Sequence, residues 1–302
     1  MGGMSYMDIM NRGGGIINTM KATREASEAE LADHAMDHLK KMLAMGVTTV
    51  EAKSGYGQDY DTEIKQLHVT RKLNASQPIE LVSTFLGAHA VPPEYKGRSK
   101  AFLDFLLKEV MPVVKKENLA EFCDIFCEEG VFSVDESRQY LKKAREMGFK
   151  LKIHADEIVS LGGSELAGEL KATSADHLLH ASDAGIKAMA ENGVVSTLLP
   201  TTAFCLREPF ARAREMIDAG CAVALATDFN PGSGFTFSVP LMLGLAVIYM
   251  HMTAEEAITA LTLNGAAAVG RADRIGSIEV GKQADLTILQ YPSYKFLPYH
   301  TG

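Results

Sequence analysis

Two apolar segments of the chain end on side chains that can bind a metal ion and move a proton. Residues 148–153 run directly into His154, and Glu157 follows three residues later. Residues 222–227 end on Asp228. A neutral imidazole ligates metals through a ring nitrogen, and a positioned carboxylate transfers protons. We therefore predict a hydrolytic site. In it, His154 and Asp228 bind one metal ion, Asp228 accepts a proton from the attacking water, and Glu157 is the general acid and base.

Each of these residues also has a simpler interpretation. His154 is compatible with a core histidine on an apolar strand, and Glu157 with a carboxylate at a helix start. Asp228 precedes Asn230 in a pattern typical of an Asx turn, although a turn residue can also face a metal. The position of His154 at a strand end, with acidic residues directly after it, favours the functional interpretation.

Strand and helix patterns alternate along the chain. Strands are predicted at 47–52, 80–86, 122–127, 148–153, 175–180, 193–199 and 222–227. Helices are predicted at 25–44, 61–73, 99–116 with Pro112 bending or dividing it, 135–147, 164–170, 183–191, 207–219, 240–250 and 253–269. Such alternation predicts a parallel sheet with right-handed crossovers. A closed barrel of this kind has eight strands. A glycine run at 13–15 leads straight into a helix, so we expect an α/β, TIM-like (β/α)8 barrel that lacks its first strand.

The C-terminal segment has a different pattern. Residues 276–289 read as a turn, a strand, a glycine turn and a second strand. We therefore expect a barrel domain over residues 1–272. Residues 273–302 are expected to be a β segment that belongs to a small β-sandwich domain.

Composition excludes several classes of protein. The chain has 302 residues and a net charge of −8, with a pI near 5.6, which argues against nucleic acid as its main partner. No signal peptide, basic block or apolar run long enough to span a bilayer is visible. The four cysteines form no CxxC pair, which favours buried thiols in a reducing cytoplasm over a structural zinc site.

Five stretches carry a resemblance to a known family: KSGYG at 53–57, STFLGAHAVPPEY at 83–95, LKIHADEI at 151–158, SADHLLH at 174–180 and ATDFNPGS at 226–233. On these stretches the chain resembles the metal-dependent amidohydrolase superfamily. Within it, the chain is similar to the hydrolases that open the imidazolone ring in histidine breakdown. The resemblance implies hydrolysis of 4-imidazolone-5-propanoate, a small-molecule substrate, to N-formimino-L-glutamate. It also implies one divalent or trivalent metal ion, zinc or iron, and suggests a homodimer.

The resemblance assigns substrate contacts as well. It places Tyr56, His89, Glu157 and His177 beside the substrate, with His177 hydrogen-bonded to the bound water or to the substrate. The tight loop after Asp228 has backbone N–H groups that can hold a carboxylate. The residues of that loop are Asn230, Gly232 and Ser233.

One departure from the family pattern bears on activity. Full-length members carry a His-x-His motif at the end of their first barrel strand, and none of the nine histidines here is two residues from another. We therefore expect an internal fragment, shortened at both ends. Two alternatives stay open: another cyclic amidohydrolase or a deaminase, against which the Tyr56 and His89 motifs argue, and a catalytically silent barrel.

Overall fold

The computed structural model describes residues 15–300, in which seven strands alternate with helices. The strands are β1 Thr49–Lys53, β2 Glu80–Ala88, β3 Phe122–Cys127, β4 Lys150–Ala155, β5 Ser174–His177, β6 Val195–Leu198 and β7 Val223–Leu225. The helices are α1 Ile16–Glu25, α2 Glu28–Ala44, α3 Tyr60–Asn74, α4 Ser99–Phe105, α5 Met111–Lys116, α6 Val134–Glu146, α7 Gly163–Glu169, α8 Asp183–Asn192, α9 Pro200–Leu206, α10 Ala213–Asp218, α11 Val239–Tyr249, α12 Ala254–Leu261, α13 Leu263–Ala268 and α14 Phe296–Tyr299. The number of strands is the number predicted. Part of the glycine run at 13–15 lies outside the described residues.

The chain forms two compact units, and it passes from one to the other inside β4. The first comprises Met1–Lys152 with Pro231–Ser233, and the second comprises Ile153–Asn230 with Gly234–Gly302. In the first unit, β1 pairs in parallel with β2, and β2 pairs in parallel with β3. Lys150, at the start of β4, donates its backbone N–H to the Glu121 carbonyl oxygen at 3.1 Å.

The second unit continues the same pattern. Strand β5 pairs in parallel with β6, and β6 with β7. Leu178, directly after β5, donates its backbone N–H to the Ala155 carbonyl oxygen at the end of β4 at 3.1 Å. Strands β5, β6 and β7 are buried along their whole length, as expected of parallel strands that are covered on both faces.

Side chains at the helix starts explain where several helices begin. A capping box, in which a Ser or Thr and a Glu three residues later bond to each other's backbone N–H, opens α2, α6 and α12. Asp59 caps α3 by accepting from the Thr62 N–H. Because these caps satisfy N–H groups that have no partner within the helix, the helix starts follow from local sequence.

Two predicted helices differ from the observed ones. The helix predicted at 207–219 is present only in its second half: α9 ends before Arg207, whose φ of 64° is left-handed, and α10 begins at Ala213. Pro209 lies between them and cannot supply a helical N–H. The helix predicted at 253–269 is interrupted at Thr262. The helix predicted at 99–116 is interrupted by a π-helical turn at Leu106–Val110, which separates α4 from α5 just before Pro112.

The two strands predicted within residues 276–289 are not formed in the described chain. The apolar side chains that make the alternating pattern, those of Ile278, Val280, Leu286 and Ile288, are exposed. A strand exists only when a neighbour takes up its backbone hydrogen bonds, and the alternating pattern alone supplies none. The assignment of residues 273–302 to a separate β-domain stays a prediction.

The cysteines, all of which lie in the described part of the chain, form no disulfide with one another, and most of them are buried, as expected. Cys123, Cys127 and Cys221 are buried, and Cys205 is half-buried. Burial raises the pKa of the Cys123 thiol well above its usual range and also raises the pKa of Cys221. Among the described helices, none combines the length and the apolar character that a membrane span requires.

Candidate active site

The end of β4 and the loop after it carry the first predicted site residues. His154 lies in the strand, and the buried Asp156 follows with a left-handed φ of 51°. The Asp156 carboxylate accepts backbone N–H groups from Leu161, Gly162 and Ser164 at 2.9, 3.0 and 2.9 Å, and the Ser164 hydroxyl at 2.6 Å. A carboxylate at the start of α7 also suits the positive end of the helix dipole. Asp156 therefore fixes the loop that begins with Glu157.

Three of the predicted site residues lie together in the second unit. The rings of His154 and His177 are 5.1 Å apart, centre to centre, and are inclined at 48°. Glu157 Oε1 lies 3.5 Å from His177 Nδ1. All three side chains are buried. His177 and Leu178 both have a positive φ, which ends β5 at the edge where β4 also ends. The predicted grouping of His154, Glu157 and His177 is therefore present.

Asp176 belongs to this group, and the sequence analysis missed it. A carboxylate oxygen of Asp176 and a ring nitrogen of His154 lie within 4.8 Å of each other. Asp176 is buried, and the Ser174 hydroxyl donates to it at 3.2 Å. Its signal in the sequence is a charged residue in a short buried strand, which is rare unless a partner compensates the charge.

The residues around His154 fit a metal ion. A buried carboxylate next to a buried imidazole is costly unless a cation or hydrogen bonds compensate the charge. Imidazole nitrogen with carboxylate oxygen is also a donor set that suits zinc and iron. The second unit thus supplies donors appropriate for one such ion.

Asp228 lies just beyond β7 in the same unit. Its carboxylate accepts the Thr202 hydroxyl at 2.7 Å, and its φ of 49° is left-handed. The Asn230 side-chain amide donates to the Asp228 carbonyl oxygen at 2.7 Å, which closes the turn. A Cβ at Gly234 would lie 2.9 Å from the Thr202 hydroxyl oxygen, so this turn has no room for a larger residue there. The convergence of Asp228 with His154 on one ion stays a prediction.

The predicted substrate contacts Tyr56 and His89 lie together in the first unit. Their rings meet edge to face at 5.3 Å. His89 Nδ1 lies 3.2 Å from the Gly55 carbonyl oxygen, and the His89 ring lies 6.1 Å from the ring of Phe126. The Asn230 backbone N–H donates to the Gly234 carbonyl oxygen at 3.0 Å, so the structure contradicts its predicted use for holding a carboxylate. The predicted roles of Gly232 and Ser233, in the first unit, stay predictions.

A network of buried and half-buried charges in the first unit was not foreseen from the sequence. Lys53 Nζ lies 2.7 Å from Asp124 Oδ2 and 3.0 Å from Glu51 Oε1. Lys152 Nζ lies 3.1 Å from Glu51 Oε2, and the Thr84 hydroxyl donates to Glu51 at 2.5 Å. In these contacts two cations alternate with two anions, so each charge lies beside an opposite charge. The sequence signal is the placement of Glu51 and Lys53 two residues apart, on one face of β1.

Comparisons with known proteins identify the family. The chain matches the Amidohydrolase family over residues 6–299. It therefore belongs to the amidohydrolase family. It is 66% identical over 302 residues to the imidazolonepropionase of Clostridium tetani, covering 100% of this chain and 72% of that protein. It is 63% identical over 300 residues to the imidazolonepropionase of Parabacteroides distasonis, covering 99% and 72%.

Solved structures confirm the fold class. An adenosine deaminase from Xanthomonas campestris with bound zinc superposes with a TM-score of 0.69 at 20% identity, covering 99% of this chain and 71% of that one. A guanine deaminase from C. acetobutylicum superposes with a TM-score of 0.65 at 17% identity, covering 87% and 67%. At such identities the likeness shows the fold alone, and this fold is the TIM-like α/β architecture predicted from the sequence.

Proposed function

We propose that this chain hydrolyses 4-imidazolone-5-propanoate to N-formimino-L-glutamate, the imidazolonepropionase reaction of histidine degradation. The observation that carries the proposal is its identity of 66% over 302 residues to a relative of that name. The grouping of His154, Glu157 and His177 in one buried cluster supports it. The proposal includes a cytoplasmic enzyme that acts on a small molecule and forms a homodimer.

His154 and Asp228 are the residues that we propose to hold one zinc or iron ion. Such an ion, when bound, lowers the pKa of a coordinated water towards neutrality and so makes hydroxide available. The buried Asp176 beside His154 adds negative charge that favours a cation there. The Thr202 hydroxyl orients the Asp228 carboxylate, so that one of its oxygens keeps a fixed direction.

Proton transfer falls to the carboxylates. Asp228 or Glu157 accepts the proton of the attacking water and returns it to the ring nitrogen that leaves when the cyclic amide opens. Glu157 lies 3.5 Å from His177, and this proximity keeps the two groups in reach of the same substrate atoms. His177 in turn hydrogen-bonds the water or the substrate carbonyl.

Recognition of the substrate is assigned to two further groups. The edge-to-face pair of Tyr56 and His89 contacts the imidazolone ring. The backbone N–H groups of Gly232 and Ser233 hold the propanoate carboxylate, because successive amides in a tight turn form a site for an anion. Asn230 supports this turn, since its own N–H donates to the Gly234 carbonyl oxygen at 3.0 Å.

The decisive experiment is an assay of the purified 302-residue chain. The protein is loaded with zinc or with iron, its metal content is measured, and the loss of imidazolonepropionate is followed together with the formation of formiminoglutamate. Guanine and a dihydropyrimidine serve as control substrates. Turnover of imidazolonepropionate by metal-loaded protein supports the proposal. Metal-loaded protein that deaminates guanine and leaves imidazolonepropionate unchanged contradicts it, and protein that holds no metal and shows no turnover supports the silent barrel.

A further inference from the structure

The loop between β1 and α3 is held by a buried carboxylate on the helix that follows it. Glu63 accepts the backbone N–H of Gly55 at 3.0 Å and those of Gly57 and Gln58 at 2.9 Å each. Its side chain has no exposure to solvent. Three amide groups directed at one carboxylate restrict residues 54–58 to a single backbone path, because a buried N–H that lost this acceptor would be unsatisfied.

The same loop is also fixed on its other sides. Arg24 Nε donates to the Gly57 carbonyl oxygen at 2.8 Å, and the Leu86 N–H donates to the Ser54 hydroxyl oxygen at 3.1 Å. Gly55 has a φ of 110°, and a Cβ there would lie 2.6 Å from the Leu86 carbonyl oxygen. The loop therefore packs directly against β2, with no space for an alternative backbone path.

This backbone sets the position of two proposed substrate contacts. Tyr56 is the central residue of the loop, and its ring meets that of His89 at 5.3 Å. The Gly55 carbonyl oxygen, which can only accept, lies 3.2 Å from His89 Nδ1. Nδ1 therefore carries the hydrogen in this contact, and in the neutral ring Nε2 becomes the acceptor.

We infer that Glu63 is a positioning residue for substrate binding: its carboxylate holds residues 54–58 so that Tyr56 and His89 present one fixed surface and one tautomer to the substrate. The identity of that substrate rests on the proposed function. Glu63 acts through the loop and touches no reacting atom. Loss of its carboxylate should therefore weaken binding more than it slows the chemical step.

The first test separates positioning from simple loss of folded protein. In Glu63→Gln, an amide –NH2 replaces one acceptor oxygen and faces backbone N–H donors. We expect KM to rise about tenfold, the equivalent of one lost hydrogen bond to substrate, with kcat changed less than about threefold. Asp61→Asn is the matched control, because Asp61 lies in the same turn of α3 but is exposed. A variant that only lost folded protein would show a lower kcat per mole of chain and an unchanged KM, which would overturn the inference.

The second test does not depend on activity. Hydrogen exchange at the Gly55, Gly57 and Gln58 amides should be at least about tenfold faster in Glu63→Gln than in wild type, and unchanged in Asp61→Asn. If Glu63→Gln fails to fold, Glu63→Asp, whose carboxylate is one methylene short of the loop, gives the same readouts. Unchanged exchange, or faster exchange with an unchanged KM, overturns the role of Glu63. Wild-type protein can exchange slowly at these amides and still fail to turn over imidazolonepropionate. That result contradicts the proposed function but not the contacts by which Glu63 holds residues 54–58.

Discussion

The imidazole of His154 lies 5.1 Å, centre to centre, from the imidazole of His177. The two residues are 23 positions apart and belong to different strands, β4 and β5. Because β4 and β5 end at the same edge, the two imidazole rings lie in one buried site. This site is where the first two predictions apply.

Removal of the His154 side chain should abolish metal binding and activity together. In His154→Ala the site loses its proposed imidazole ligand, and the carboxylates of Asp228 and Asp176 that remain lack the nitrogen donor that zinc and iron favour. The measurement is metal content after dialysis, together with turnover of imidazolonepropionate. His180→Ala is the control, since His180 has no proposed role, and it should keep both. Full metal content in His154→Ala would remove His154 from the ligand set.

Loss of the Glu157 carboxylate should slow turnover without loss of metal. Glu157→Gln keeps the size of the side chain near His177 but cannot accept a proton, so kcat should fall by about 10²-fold or more. Metal content and kcat are measured on the same preparation. Normal turnover by this variant would show that Glu157 does not transfer the proton.

In the charge network of the first unit, loss of the Glu51 carboxylate should cost more stability than loss of the Lys152 amine. Glu51→Gln removes the carboxylate that lies 3.1 Å from the fully buried Lys152 and should cost about 3 kcal/mol of stability. Lys152→Met should cost less, because Glu51 keeps Lys53 at 3.0 Å. Urea unfolding at pH 7 measures both. Equal costs for the two variants would contradict the network as described.

The capping box of α12 should make part of the stability depend on pH. The Thr253 N–H holds the pKa of Glu256 below its ordinary value of 4.5, with Arg214 contributing. A lowered folded-state pKa gives stability that is present above pH 4.5 and is lost as the pH falls through the folded-state value. Glu256→Gln should therefore lower the melting temperature at pH 7, and the gap from wild type should close in acid. The exposed Glu208→Gln should show no such gap, and a gap for Glu256→Gln that persisted below the folded-state pKa would contradict this assignment.

Much of the fold followed from local patterns. The apolar runs that end on His154 and Asp228 are strands or strand ends, and α7 and α8 begin within a residue of their predicted starts. These features depend on helix caps and on apolar periodicity. Both are patterns of residues that are close in sequence, so they can be recognised in a single chain. The break around Pro209 has a local cause in the sequence as well, because proline cannot supply a helical N–H.

The two strands predicted within residues 276–289 are a feature that local patterns did not predict correctly. The alternation of Ile278 and Val280 satisfies the pattern of a strand, but hydrogen-bond partners come from elsewhere in space. For the same reason the sequence did not reveal that Glu63 reaches back to three amides of the preceding loop, or that Asp176 lies beside His154.

The sequence by itself determined the order of strands and helices, the side chains available for chemistry and, through its motifs, the family. Only the tertiary structure decided which of those side chains meet, because contacts such as Lys152 with Glu51 or Glu157 with His177 join residues on separate elements. Burial makes such contacts strong, since a charge removed from water must find its partner within the protein. The partner can come from any element that packs nearby, so the spacing of residues along the chain does not identify it.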